Sequence, residues 1–262
     1  MIKQKFSLWR EYGALNSQPI FDAFANSLVG AGYDVSDNDR SSDVDVIWSV
    51  LWNGRMAPNK DIWQNNQRSA KPTIVLEVGG IKRGTTWKVG LNGINRDAYF
   101  SPSGNTSTRA EQLGLKLKPW RSEGSYILIC GQHERSQQWE TMPNMTAWLG
   151  NTINIIREYT DMPIYWRPHP RYPVQYVEQD FKNVIRQNPT KIEDTYDDYD
   201  FNVRDAWATV CYSSNPGPHS IIAGIPAFVG ESSLAFDVGN NNLHNIMTVS
   251  YTHLTLPTKR IV

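Results

Sequence analysis

Short apolar runs alternate along this chain with longer segments that carry apolar residues at helical spacing. That alternation confines the fold to βα units built on parallel sheets. Thr-Ile-Val-Leu-Glu (73–77) and Tyr-Ile-Leu-Ile-Cys (126–130) are too short for helices and apolar at nearly every position, as strands covered on both faces are. Residues 45–48, 163–166, 208–212 and 226–229 read the same way. Between them, Ser17 is placed to cap a helix with Pro19 in its first turn. Ile20, Phe21, Phe24, Leu28 and Val29 share one stripe of it, and Gly30 and Gly32 end it. Residues 145–159 form a second amphipathic helix with Trp148, Ile153 and Ile156 on its apolar side, and a short helix over 219–223 closes at Gly224.

The periodicity lapses once, over residues 116–125, which read as a linker. The 262 residues would suit one large domain or two small ones. Two βα halves around a linker predict two Rossmann-like domains with parallel sheets facing a cleft, the first over 1–118 and the second over 122–249. In such folds ligands gather at the carboxyl ends of the strands, which gives weight to the residues that follow each strand. The segment 250–262 breaks the pattern. It is similar to the translated read-through of a sequencing adapter, which would leave the natural C-terminus missing; a genuine tail is the alternative.

The residues after the strands of the second half carry the chemistry. Arg167 and Arg171 flank Pro-His-Pro directly behind a strand, and two prolines with fixed φ stiffen the segment that presents His169. Guanidinium forks bind diphosphate oxygens bidentately, and an imidazole can hydrogen-bond or protonate a leaving phosphate. A proline-rich turn with solvated arginines is the plainer alternative. Tyr-Ser-Ser-Asn-Pro-Gly-Pro-His-Ser (212–220) follows the next strand and leads into a helix. Hydroxyls and free N–H groups at a helix N-terminus attract anions, so Ser213, Ser214 and Ser220 are candidate phosphate donors, or else merely caps. Tyr212 and His219 complete that candidate set. Gly131 lets a ligand approach the backbone, with Gln132 and Ser136 beside it. In the first half Glu77 ends a strand before Gly79 and Gly80, where a carboxylate can deprotonate an acceptor hydroxyl. Asp45 and Asp97 are its rivals, and a purely structural carboxylate is the other reading. Lys82, Arg83 and Lys88, with Trp87 among them, could meet the phosphates of an acceptor or form a solvated face.

The order strand–Gly-Gln, strand–Arg-Pro-His-Pro, strand–Ser-Ser, helix–Gly-Ile-Pro over about residues 126–230 resembles the donor half of GT-B glycosyltransferases. It is similar in particular to the capsular-polysaccharide, Kdo-transferase-like group with a His-Pro motif. In that group the histidine and the serine pair bind the phosphates of a nucleotide-sugar, a role the resemblance implies for His169, Ser213 and Ser214. Residues 45–95 are similar to marine phage reading frames, and phage DNA glucosyltransferases share the two-domain architecture. The resemblance therefore implies a hexosyltransferase using a nucleotide-sugar, UDP-sugar first, with 5-hydroxymethyl-pyrimidine in double-stranded DNA as the first acceptor and a surface or capsular glycan as the second. A nucleotide-sugar epimerase or a non-enzymatic nucleotide-sugar-binding phage protein are the alternatives from other classes.

Charge and motifs narrow the field further. Twenty-six basic residues balance 26 acidic ones, so no global positive field holds nucleic acid. Cys130 and Cys211 both sit in apolar runs and read as buried thiols. No apolar run approaches the about 18 residues of a membrane span and no apolar leader opens the chain. A cytoplasmic protein is expected, in the host cell if the source is a phage. The run Asp194–Asp200 lacks the glycine of a calcium loop and reads as an acidic surface loop, so no metal is expected. Neither a P-loop nor a dinucleotide fingerprint occurs, and no permanently bound cofactor is expected.

Overall fold

The computed structural model describes residues 3–99, 107–172, 174–195 and 197–248; the segment 250–262 discussed above lies outside them. The chain divides into two compact units, Met1–Phe100 with Arg135–Gln137 and Ser101–Glu134 with Gln138–Val262.

The first unit runs β1 (Lys5–Leu8), α1 (Gln18–Gly30), β2 (Asp34–Asp37), β3 (Val44–Trp48), α2 (Asn59–Ser69), β4 (Thr73–Val78) and β5 (Trp87–Leu91). Its sheet has the order β2-β1-β3-β4-β5. The first four strands are parallel and β5 closes the edge antiparallel to β4, a departure from the all-parallel expectation. β3 is buried at every position, and its side chains alternate between two cores. Val44, Val46 and Trp48 pack with Phe21 of α1, whereas Ile47 packs with Ile62 and Trp63 of α2. Helices on both faces explain why the strands read as unbroken apolar runs. The α2 stripe is half polar, because Asn59 and Asn66 are buried with Ile62 and Trp63 at spacings of three and four. Asn59 holds down its end by donating to the carbonyls of Tyr12 and Trp48 at 3.2 and 2.8 Å.

Asp45 organises the opposite end of β3. Its carboxylate, 2% exposed, accepts from Trp9 Nε1 (2.9 Å), Ser42 Oγ (2.9 Å) and Asn66 Nδ2 (2.7 Å), and pairs with Lys71 Nζ at 2.9 Å. Every lone pair of consequence is engaged near the amino end of the strand, so this rival to Glu77 holds the fold together.

The second unit contains α3 (Thr108–Gln112), β6 (Tyr126–Cys130), α4 (Met145–Arg157), β7 (Ile164–Arg167), β8 (Val184–Arg186), β9 (Ala206–Cys211), α5 (Pro216–Ile222) and β10 (Ala227–Val229). Its sheet is parallel throughout, in the order β10-β9-β6-β7-β8. Ile127 and Ile129 face the core under α4, with Met145, Leu149, Ile153 and Ile156. Leu128 and Cys130 face the other layer, with Ile221 of α5. Because β7 follows β6 on one side and β9 flanks it on the other, the strand order reverses at β6. The carboxyl ends of β6, β7 and β9 therefore surround the switch point where doubly wound sheets bind ligands. Among the described residues no helix is long and apolar enough to cross a membrane.

Candidate functional site

Three loops leave the switch point. Behind β6 the chain turns at Gly131, whose N–H donates to the Arg167 carbonyl at 2.8 Å. A Cβ there would lie 2.6 Å from Trp166 Cη2 and 3.3 Å from His169 N, so only glycine lets the His169 loop come this close. Gln132 follows, nearly buried, and its Oε1 accepts both the N–H (3.1 Å) and the hydroxyl (2.9 Å) of Ser213 behind β9. Gln138 Oε1 is a second acceptor for that hydroxyl at 3.1 Å; with one proton, Ser213 donates to one amide oxygen at a time. Next to it the Ser214 hydroxyl oxygen is buried without a hydrogen-bond partner among the described residues. A buried hydroxyl with nothing to bond to is costly to maintain, and a ligand group would satisfy it.

The Arg-Pro-His-Pro-Arg loop behind β7 is fixed on two sides. His169 Nδ1 accepts the Arg171 N–H at 3.2 Å, which in the neutral ring puts the proton on Nε2. The ring also stands edge-on to His133 (centroids 5.4 Å, 76°), and His133, only 4% exposed, leans on Tyr172 (4.7 Å, 54°). Tyr172 donates its hydroxyl proton to Glu134 Oε2 at 3.0 Å. The other oxygen of Glu134 accepts the Met145 N–H at the head of α4, where the helix dipole favours a carboxylate. His133, Glu134 and Tyr172 were not among the sequence candidates. Only the position of His133 next to Gln132 could have pointed to it.

Both arginines of the motif are paired, and with the same loop. Arg167 is buried; its Nη2 donates to the main-chain oxygen of Asp200 and to Asp200 Oδ1 at 3.0 Å. Burial would raise the Asp200 carboxyl, but the Thr190 N–H and the Arg167 guanidinium outweigh it and hold it below its ordinary value. Arg171 pairs with Asp197 Oδ2 at 3.0 Å. The run 194–200, expected to be a solvated acidic surface, thus supplies the counter-ions of the diphosphate candidates. Its turn is closed by the Ile192 N–H to Asp198 and the Asp200 N–H to Thr190 main-chain bonds, each 2.9 Å.

Other candidates occupy different surroundings. Ser220 is fully buried and bonds Thr209 Oγ1 at 2.8 Å, stapling α5 to β9 within the core. Tyr212 packs edge-on against Trp139, and His219 against Phe201. Ser136 belongs to the first unit, where it bridges Leu51. The head of α5 offers few main-chain donors: Pro216 and Pro218 have none, and the Gly217 N–H is taken by the Ser214 carbonyl at 3.2 Å. The head of α5 therefore lacks most of the main-chain donors expected of a helix-terminus anion site. Burial pushes both cysteine thiols up, Cys211 to about 12, so neither is a nucleophile at neutral pH.

In the first unit Glu77 lies near the carboxyl end of β4. Ser49 donates to its Oε2 at 2.5 Å, and the Val78 N–H to its Oε1 at 2.9 Å. Ser49 is buried and holds φ at 64°, unusual for serine and a strain of the kind that gathers at functional sites. Lys88 and Trp87 lie on β5, Lys88 directly opposite Glu77 and Trp87 opposite Val78. Burial lowers the Lys88 ammonium to about 8, with Glu77 opposing the shift and Arg83 adding to it. Lys82 heads the turn before β5, its carbonyl accepting the Thr86 N–H at 2.9 Å. Asp97 is exposed beyond β5.

No protein-family profile matches the chain, and no curated protein is similar to it in sequence. Solved structures are. Over 94% of its length the chain is similar to 89% of the Thermosulfurimonas dismutans KpsC β-Kdo 2,7-transferase, with a TM-score of 0.52 at 15% identity. The β-Kdo 2,4-transferase of the same KpsC matches 94% of the chain over 90% of its own, with a TM-score of 0.46 at 13% identity. At such identity the first likeness speaks for the fold alone: a GT-B-like fold of two Rossmann-like α/β units, as expected from the sequence.

Proposed function

We propose that this chain is a glycosyltransferase that binds the diphosphate of a nucleotide-sugar at the carboxyl ends of β6, β7 and β9. The observation that carries the reading is the grouping of His169, Arg171, the Gln132-oriented Ser213 and the unsatisfied Ser214 hydroxyl behind three adjacent strands at a switch point. Arg171 and the Nε2–H of His169 supply charge-assisted hydrogen bonds to the departing diphosphate, the group on which negative charge grows. Arg167, tied to Asp200, shapes the loop and adds a fixed positive charge behind it. Glu77 is the candidate base. It takes the proton of the acceptor hydroxyl, the freed oxygen attacks the anomeric carbon, and the sugar–phosphate bond breaks with its electrons on the nucleoside diphosphate. Bonds from Ser49 and Val78 keep that carboxylate in one orientation. A UDP-sugar is the first donor to try and hydroxymethylated pyrimidine in DNA the first acceptor, with Lys82, Arg83, Trp87 and Lys88 as the acceptor-facing set. A surface or capsular glycan is the competing acceptor.

The test is turnover of a panel of UDP-, GDP- and CMP-sugars with and without hydroxymethylated DNA or an oligosaccharide. Label transfer supports the proposal and identifies the acceptor. Interconversion of the sugar without acceptor assigns an epimerase, and binding without turnover a non-enzymatic protein. His169→Ala should lower transfer about 100-fold, the upper end for one charge-assisted hydrogen bond. Full activity in that variant would sink the mechanism.

A further inference from the structure

The histidine of the Arg-Pro-His-Pro-Arg loop has two distinct ring nitrogens, and what it can do to a phosphate depends on which one carries the proton. Nδ1 accepts the Arg171 N–H. One weak main-chain bond at 3.2 Å does not by itself stop the ring from flipping, which would put Cδ2 and Cε1 where Nδ1 and Nε2 stood and break the bond that selects the Nε2–H tautomer. Something must hold the ring plane. His133, buried at 4% exposure, stands edge-on to His169 on one side and against Tyr172 on the other. Tyr172 is itself fixed through Glu134 to the head of the 13-residue helix α4. Its N–H in turn donates to the His169 carbonyl at 3.1 Å. The chain of contacts runs from a rigid helix to a single imidazole.

We propose that His133 is a positioning residue: wedged between Tyr172 and His169, it locks the His169 ring so that the protonated Nε2, and not Nδ1, is the atom offered to an anionic ligand. This deepens the donor-diphosphate reading and rests on it for the identity of the ligand, though not for the state of the ring. A locked Nε2–H tautomer makes the neutral His169 ring a hydrogen-bond donor without the need for a second proton. It also makes two small side chains, one buried and one partly exposed, behave as a unit that substitution of either would break.

Two-bond proton–nitrogen NMR of the imidazoles, on the full chain without ligand, reads the tautomer directly; His169→Gln identifies the signal by its loss. The wild type should show a single Nε2–H form at His169. His133→Ala should give a mixture of tautomers and weaken UDP binding about 10-fold, the loss of one charge-assisted hydrogen bond. His133→Phe, which restores the aromatic wedge, should recover both. Tyr172→Phe keeps the ring but loses Glu134, and should shift both readouts part of the way. If His133→Ala leaves the tautomer unchanged, or if His133→Phe is as impaired as His133→Ala, the positioning role is refuted. Should His133→Ala not fold, the Phe and Tyr172 variants decide by the same two criteria. Failure of the wild type to bind UDP would overturn the donor reading instead, while the tautomer measurement still decides this inference.

Discussion

If Arg171 meets a diphosphate as proposed, it cannot serve that ligand and Asp197 at full strength simultaneously, and the competition has a calculable size. The guanidinium lies 3.0 Å from the carboxylate, with side-chain exposures of 47% and 12%. At that distance the bare Coulomb energy is about 1.4 kcal/mol in bulk water and several times more in a lower dielectric. Arg171 is nearly half exposed, so screening and side-chain entropy bring the net value down to roughly 0.4–1 kcal/mol. Replacing Asp197 by Asn keeps the shape and removes the charge, so an incoming diphosphate no longer displaces a carboxylate. Affinity for UDP, measured by isothermal titration calorimetry, should rise about 2–5-fold at low salt. The gain should shrink at about 1 M salt, where the Debye length falls to about 3 Å. An unchanged or weaker affinity of Asp197→Asn at low salt would show that Arg171 does not meet the ligand's charge, and the reasoning would fail.

Three further outcomes follow from the geometry. Asp45→Ala removes the counter-ion of Lys71, the acceptor of the Trp9 indole and one of the two bonds of the Asn66 amide, and should cost about 3–5 kcal/mol in urea unfolding; a loss below about 1 kcal/mol would show that the network is not what holds β3. Gly131→Ala puts a methyl 2.6 Å from the fully buried Trp166, and overpacking of about 1–3 kcal/mol should appear together with weaker UDP binding. Lys88 has a folded value of about 8 against 10.5 for the free side chain, so between those values the unfolded chain binds more protons and stability rises with pH. Urea midpoints from pH 7 to about 10 should show that rise in the wild type and a flatter profile in Lys88→Met; parallel profiles would refute the burial of the charge.

How far the sequence could be read depended on whether burial was apolar. β6 coincides with its expected span, and β3, β4, β7 and β9 shift by one or two residues, because strands covered on both faces leave runs with no other reading. α2 escaped notice because two of the four side chains on its buried stripe are asparagines; hydrogen bonds, not apolar area, seat that helix. β1 and β2 escaped for similar reasons: buried Ser7 accepts the Asp39 N–H at 2.7 Å, and β2 is half exposed. β5 offers no apolar run because Gly90 lies where a Cβ would meet the Gly93 carbonyl at 2.4 Å. At the site, the pairing of Gln132 with Ser213 joined two residues already singled out after separate strands. The acidic partners of the arginines did not show, since pairing across 26 and 33 residues leaves no local periodicity.

The two prolines at the head of α5 have a consequence for how this site could change. A phosphate cradle made of main-chain N–H groups is common property of the fold, and substitution hardly touches it. Here Pro216 and Pro218 have no N–H to offer, so a phosphate bound as proposed would have to be met by hydroxyl, amide, imidazole and guanidinium side chains. A fold shared at 15% identity therefore does not carry its ligand with it, because the groups that would meet a phosphate here sit on side chains and not on the backbone common to the fold.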